Sequence, residues 1–425
     1  MSPPSSTTPA SRWRASSTSG APAPEPAFRP TSCSSGPRVA ADMASRPISI
    51  LHVIDWIAER YGGPPRNVRD VAAAQAERGH RVIVLATDRD GSRRLPESER
   101  RRLSPAPRWE VVPVPTRGPA LSPSFLRRAW QLTNEVDVVH LHGIYSPPAA
   151  VAGAVALRRG VPFVQQLHGA ATSYHWLQKR WKKGPWELLV QRPLIARAAA
   201  AIAMTEIEAE QGARVFPDAR MRIVPPPVVD DATVSEPCDR RGGRAPTVGF
   251  LGRLSEKKGA PILLAAFARI AAEYPEARLV VAGPDDEGIG VRMRGEIERL
   301  GLSGRVSFPG MVIGREKAEL VDQFDVFALP SADESFGIAV VEAMEAELPV
   351  AITEHVAIAA EVRAAGAGVV APRTAEGFAT ALRQLLGSPE EARRMGAAGR
   401  RLAEQRFSRS AAMADLERVY EDAIG

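Results

Sequence analysis

Two glutamates eight positions apart, Glu334 and Glu342, stand in the stretch Pro330-Ser331-Ala332-Asp333-Glu334-Ser335-Phe336-Gly337-Ile338-Ala339-Val340-Val341-Glu342-Ala343-Met344. The apolar run before Pro330 reads as a strand and the run after Gly337 as a helix. Glu334 therefore falls on the loop between them and Glu342 one turn inside the helix. Free amides at the helix start, around Ser335, Phe336 and Gly337, suit an anion such as a diphosphate. A carboxylate can accept both hydrogen bonds of a ribose diol, which is the chemistry Glu342 offers. Taken as an arbitrary pair, Glu334 reads more simply as a helix cap and Glu342 as a solvated surface group.

A second stretch, Val248-Gly249-Phe250-Leu251-Gly252-Arg253-Leu254-Ser255-Glu256-Lys257-Lys258-Gly259, again reads as strand, loop and helix start. Gly252 opens that loop, Arg253 can fork onto phosphate oxygens, and Lys258 adds a point charge. In the first half, Gly62 and Gly63 follow a strand and would let the backbone approach a ligand closely, or simply make a turn. His168-Gly169 ends another strand, so the imidazole either faces a cleft or packs as a cap. His140 and His142 share one strand face by alternation, a start toward a metal site. No third ligand lies in sequence range, so the reading is structural and no metal is expected. Asp88-Arg89-Asp90 and Asp285-Asp286 read as turns or helix starts.

These residues need a scaffold that brings them together. Short apolar runs at Ile48–Ile54, Arg81–Ala86, Val136–Leu141, Pro162–Leu167, Thr247–Gly252, Ala277–Ala282, Val306–Phe308, Val326–Leu329 and Leu348–Ile352 predict strands. Helical patterns separate them at Arg66–Arg78, Ala260–Tyr274, Ile289–Leu300, Lys317–Gln323 and Ile338–Glu345. Continuous apolar strands alternating with helices imply α/β architecture, with parallel sheets covered on both faces. The polar Gly/Pro stretch 237–246 reads as a linker between Rossmann-like lobes at 47–236 and 247–400, and 401–425 as a helix returning to the first lobe. Ligands of such sheets sit beyond the carboxyl ends of the strands.

The Glu334–Glu342 stretch, with its flanking Pro-Ser, Ser-Phe-Gly and Glu-Ala-Met, resembles the Glu-x7-Glu signature of retaining GT-B glycosyltransferases, specifically glycosyltransferase family 4. Gly252-Arg253-Leu254 and Lys258-Gly259 resemble that family's Gly-Arg-Leu and Lys-Gly element. The resemblance covers about Ile48 to Gly425. It implies two lobes facing across a cleft, the first for the acceptor and the second for a nucleoside diphosphate sugar, with no cofactor and no metal. It further implies that Glu334 and His168 act on the donor sugar, that Arg253, Lys258 and the amides near Gly337 hold the diphosphate, and that Glu342 holds the ribose. Met311 and Val312 fall in a run similar to the family's nucleobase loop, and Gly62-Gly63 in its glycine loop. Two departures stand out: Pro225-Pro226-Pro227 replaces Pro-Asn-Gly, and Glu354–Glu361 replaces a Gly-Gly loop, so donor identity is not inherited. The competing readings are a non-catalytic sugar-nucleotide or glycan binding protein and a sugar-nucleotide epimerase of the same fold.

Composition narrows the remaining classes. Hydrophobic residues make up 44% and charged residues 24% of the 425, enough for large cores. The net charge of +6 is carried almost wholly by arginine, a compositional skew, and no aromatic-basic sheet pattern suggests nucleic acid. Cys33 and Cys238 form neither a disulfide framework nor a metal spacing, which fits a reduced cytoplasm. Residues 1–46 read as a disordered leader or a misplaced start, with Met43 as an alternative initiator. Trp176, Lys179, Arg180, Trp181, Lys182 and Lys183 combine in a segment suited to an anionic membrane surface at the inner face of the cell membrane.

Overall fold

The computed structural model describes residues 46–58, 63–101, 103, 106–118, 120–170, 184–229 and 245–425. In the first half, β1 (Ser49–Ile54), β2 (Arg81–Thr87), β5 (Arg108–Val112), β6 (Val138–His142), β7 (Phe163–Gln166), β8 (Ala200–Ala203) and β9 (Met221–Ile223) form one sheet. Its order is β5-β2-β1-β6-β7-β8-β9 and every pairing is parallel. A two-residue ribbon, β3 (Arg89–Asp90) with β4 (Arg93–Arg94), stands apart from it. In the second half, β10 (Thr247–Leu251), β11 (Arg278–Ala282), β12 (Val306–Gly310), β13 (Val326–Leu329), β14 (Val350–Ile352) and β15 (Gly368–Val370) pair in the order β12-β11-β10-β13-β14-β15, again all parallel.

Alternation along β1 shows how the first sheet is covered on both faces. Ile50 and Ile54 join Val68 and Val71 of the helix Gly63–Glu77 and Met413 and Leu416 of the helix Arg409–Ile424. Leu51 and Val53 point the other way, to Phe125 and Leu132 of the helix Pro123–Thr133. With both faces covered, most positions are apolar, and the polar ones, such as His52 of β1 and His140 and His142 of β6, are buried as well. Each large side chain so buried contributes about 1.5–3 kcal/mol. The second lobe has a core of its own around Phe250, Phe267, Phe324 and Phe327.

Several elements depart from the expected bounds. The helix expected from Arg66 begins at Gly63, because Pro64 and Pro65 sit in a first turn that needs no amide donors. Gly63 is thus the first residue of a helix rather than part of a loop ahead of it. Strands β5, β8, β9 and β15 were not foreseen. Residues 237–244 of the expected linker lie outside the described residues, and Ala245-Pro246 lead into β10.

The carboxyl-terminal 37 residues, from Pro389, form two helices rather than one. Pro389–Arg406 packs on the helices Ile338–Glu345, Ala359–Ala365 and Ala375–Gly387 of the second lobe. At the break, the Phe407 carbonyl accepts the Val228 and Val229 amides, both at 3.0 Å. Ser408 then caps Arg409–Ile424 through the Ala411 amide, and this helix buries Met413, Leu416 and Tyr420 in the first lobe. Arg78 forks onto Glu417 at 2.6 and 3.0 Å, fixing its register.

Strand order reverses between β1 and β6 in the first sheet and between β10 and β13 in the second. Crevices at the carboxyl ends of such reversals are where open α/β sheets take ligands.

Candidate active site

Both crevices open into one cleft of about 470 Å³ lined from the two lobes. On the second-lobe side, β10 delivers Gly252, Arg253 and Lys258, and β13 delivers Glu334, Ser335, Phe336 and Gly337. Gly259 has φ +76, and a Cβ there would stand 2.2 Å from the Pro330 carbonyl oxygen. Only glycine lets the two loops approach so closely, and their approach sets the Lys258 ammonium against the Glu334 carboxylate in an ion pair. Backbone bonds hold Glu334 further: its amide donates to the His355 carbonyl (3.0 Å), and its carbonyl accepts from the Ala357 amide (2.9 Å). The unusual Glu354–Glu361 loop is therefore the support for Glu334.

The helix Ile338–Glu345 starts after Gly337 with no side-chain cap, so its first amides are free to meet an anion at the cleft. One turn in, Glu342 faces the same cleft and takes a hydrogen bond from Lys317 at 2.6 Å. Across the cleft, Arg66 of the first lobe reaches Glu342 at 3.3 Å. Arg253 pairs with Asp286. Met311 and Val312, after β12, line the same wall, and the Met311 side chain is exposed.

The first lobe contributes Gly63, Asn67 and His168. His168 follows β7 with φ +53, and a Cβ on its neighbour Gly169 would stand 2.6 Å from Ser335 Cβ. The lobes touch there, so His168 lies beside the Glu334 loop. Glu208 holds this turn by accepting the Gly169 amide and, at 2.8 Å, the Met204 amide. Burial pushes the Glu208 carboxyl up to about 7, the two amide bonds opposing the shift. Burial also lowers His168 to about 4, so its ring is neutral near pH 7.

Of the residues singled out from the sequence, Gly62 and the cationic tryptophan segment Trp176–Lys183 lie outside the described residues. The others named for the cleft line it together. The reading that no third histidine joins His140 and His142 is corrected. His52 is the register partner of His140 on the adjacent β1, and ligand nitrogens of the three lie within 4.8 Å of one another. Parallel pairing brings together residues that sequence range keeps apart. Asp88 and Asp285 do structural work: Asp88 accepts the Val114 amide (2.9 Å), and Asp285 accepts the Ile289 and Gly290 amides (2.8 and 3.0 Å) at a helix start.

Three polar residues at or beside the cleft were missed. Lys317 and Arg66 both reach Glu342, and Asn67 is buried with neither amide atom hydrogen-bonded. Lys317 had a usable signal, being a rare lysine in the first turns of a helix that follows a strand. Arg66 and Asn67 carried none, since the helix face they occupy is set by tertiary packing.

Two family profiles match the chain in succession: Glycosyltransferase Family 4 over residues 61–232 and Glycosyl transferases group 1 over residues 240–402. Phosphatidyl-myo-inositol mannosyltransferase of Mycolicibacterium smegmatis is 28% identical over 381 residues, covering 86% of this chain and 91% of that one. D-inositol 3-phosphate glycosyltransferase of Segniliparus rotundus is 30% identical over 279 residues, 62% of this chain, and the match spans 61% of that protein's length. Among solved structures, Anabaena HepE in complex with UDP and glucose superposes with a TM-score of 0.68 at 20% identity, covering 87% of this chain and 98% of that one. The likeness runs through both lobes and defines the GT-B fold. The chain belongs to glycosyltransferase family 4.

Proposed function

We propose that the protein is a retaining, metal-independent glycosyltransferase. In this reading it moves a sugar from a nucleoside diphosphate sugar to a hydroxyl of a glycan or lipid-linked glycan, in the synthesis of a cell-surface polysaccharide. One observation carries the reading: Arg253, Lys258 and the uncapped helix start at Gly337 converge on one cleft wall with Glu334 and Glu342. Each cation there is paired with a carboxylate, Arg253 with Asp286 and Lys258 with Glu334. A diphosphate entering between them would draw both cations to its oxygens. Glu334, released from Lys258, could then accept hydrogen bonds from the donor sugar hydroxyls.

The positive charge that stabilises a leaving diphosphate would come from these two side chains and the helix amides, fixed before the bond breaks. The acceptor hydroxyl attacks the anomeric carbon on the face the diphosphate leaves, and its proton passes to a departing phosphate oxygen. Glu342, steadied by Lys317, is placed for the ribose diol. His168 and Asn67 face the sugar from the first lobe. A lipid-linked acceptor agrees with the name of the mycobacterial relative, and in this reading the enzyme would work at a membrane surface, its inner face. No helix among the described residues is long and apolar enough to cross a membrane.

Calorimetric titration with UDP, GDP and ADP in the presence of EDTA tests the donor site. One nucleotide should bind selectively, and Arg253→Ala should weaken it by about tenfold or more, as loss of a charge-assisted hydrogen bond does. Binding that needs a divalent ion, or none at all, would contradict the reading.

A further inference from the structure

Behind His168 lies a run of buried polar groups that the reaction as described does not use. His52, His140 and His142 project from β1 and β6 onto the sheet face covered by the helices Gly63–Glu77 and Arg409–Ile424, and none is more than 2% exposed. Those helices supply Gln75 and Tyr420, both fully buried. His168 Nε2 meets His142 Nδ1 at 2.9 Å, and His142 Nε2 meets His52 Nδ1 at 2.9 Å. His52 Nε2 meets Gln75 Oε1 at 2.7 Å, and Gln75 Nε2 donates to the Tyr420 hydroxyl at 3.1 Å. The Tyr420 hydroxyl lies 2.7 Å from His140 Nδ1. An unbroken hydrogen-bonded path thus runs from the carboxyl-terminal helix to the cleft wall.

Donor and acceptor counting ties the protons on that path to one another. A neutral imidazole has one N–H and one lone pair, and burial holds all four rings far below their ordinary pKa, so they are neutral. Because Gln75 Oε1 can only accept, His52 must donate from Nε2, leaving its Nδ1 to accept. His142 then donates from Nε2 and accepts at Nδ1, and His168 donates from Nε2. Its Nδ1 is left as a lone pair. Turning the Gln75 amide over reverses each step and gives an equally closed set, with a proton on His168 Nδ1 instead. One amide orientation therefore decides whether His168 offers the cleft an acceptor or a donor.

A metal ion held by His52, His140 and His142 fits less well. The His52 and His142 nitrogens are 2.9 Å apart, shorter than the roughly 3.3 Å that two nitrogens at about 2.05 Å from a tetrahedral zinc would keep. That spacing is a shared proton.

We propose that Gln75 and Tyr420 are positioning residues: the Gln75 amide, with Oε1 on His52 and Nε2 on the Tyr420 hydroxyl, acts through His52 and His142 to set His168 as its Nε2–H tautomer, with Nδ1 accepting a hydroxyl of the substrate. This rests on the glycosyltransferase reading of the cleft for its consequence, though not for the tautomers themselves. The readout is solid-state NMR of the full chain with 15N-labelled histidine, alongside kinetics. His168, assigned by the signal lost in His168→Asn, should show a bare Nδ1 and a protonated Nε2 without any substrate present. Gln75→Met should mix the two tautomers at His168 and lower kcat by about tenfold, with KM for the donor within about twofold. Tyr420→Phe, which removes less, should move both in the same direction by less. A protonated Nδ1 in the unmodified protein, or unchanged His168 signals in a folded Gln75→Met, overturns the proposal, as does stoichiometric zinc in the purified protein. The expected tautomers with no turnover on any nucleotide sugar would defeat the functional reading and leave the histidine path standing.

Discussion

The two walls of the cleft are built by opposite means. The second-lobe wall gathers charges near solvent: Lys258 and Glu334 side chains are 25% and 15% exposed, and their loops meet where Gly259 approaches Pro330 and the Ala332 amide donates to the Lys257 carbonyl. The first-lobe wall holds neutral rings, His168 backed by three buried histidines, Gln75 and Tyr420. Charge that must switch partners during a reaction has to stay near water, where exchanging one partner for another costs little. A group that must keep one protonation state is better backed by a desolvated network, where burial suppresses the charged form.

The first way to break this contrast is at the charged wall. Lys258→Ala should lower kcat by about 10²–10³, the range for losing one preorganised group that stabilises developing charge, with the melting temperature little changed. Steady-state transfer assays beside a thermal melt check it, and an equal loss of stability would show Lys258 to be structural. Glu342→Gln comes next. It keeps one acceptor but ends the attraction to Lys317 and Arg66, so KM for the donor should rise by about tenfold while kcat changes less.

The buried wall predicts a pH effect instead. His52 and His168 fall to about 4 from an ordinary 6.5, with His140 and His142 also lowered, so between pH 4 and 6.5 the unfolded chain binds more protons. Stability from these groups rises with pH across that window and is lost as pH falls. Asp55, raised to about 6, and Glu208, raised to about 7, oppose this, since folded carboxyls there keep protons that the unfolded chain has released. Burial also raises Asp70 and Glu361, though by less, so the four imidazoles prevail and the melting temperature should climb from pH 4.5 to 6. The smallest effect sharpens the point: Glu208→Gln removes one opposing term and should steepen that climb by a few degrees at most. A flat profile in both proteins would contradict the neutral, desolvated histidines.

The same contrast governs what could be read beforehand. The second-lobe wall lies in two contiguous stretches, and the run from Pro330 to Met344 shows strand end, loop and helix start in order. Accordingly β13 and the helix Ile338–Glu345 fall at their expected bounds. First-lobe elements were harder. β8 is four residues of which three are alanine, with no β-branched run to mark it, and β5 is a half-buried edge strand carrying Arg108 and Glu110. The histidine path was invisible for a different reason. His52, Gln75 and Tyr420 each look like an ordinary core residue, and only the β1–β6 register and the returning helix join them to His140, His142 and His168. Arg66 and Asn67 likewise reach the cleft through helix rotation that no local pattern records.

The central claim is that this cleft transfers a sugar through the residues of its charged wall. Glu334→Ala is its most direct test, because Glu334 is held by backbone bonds to His355 and Ala357 that the substitution leaves in place. Transfer from the nucleotide sugar that binds, measured without metal, should be lost by about 10³-fold or more, while nucleoside diphosphate affinity and melting temperature stay near those of the unmodified protein. Full activity in a folded Glu334→Ala protein would contradict the account.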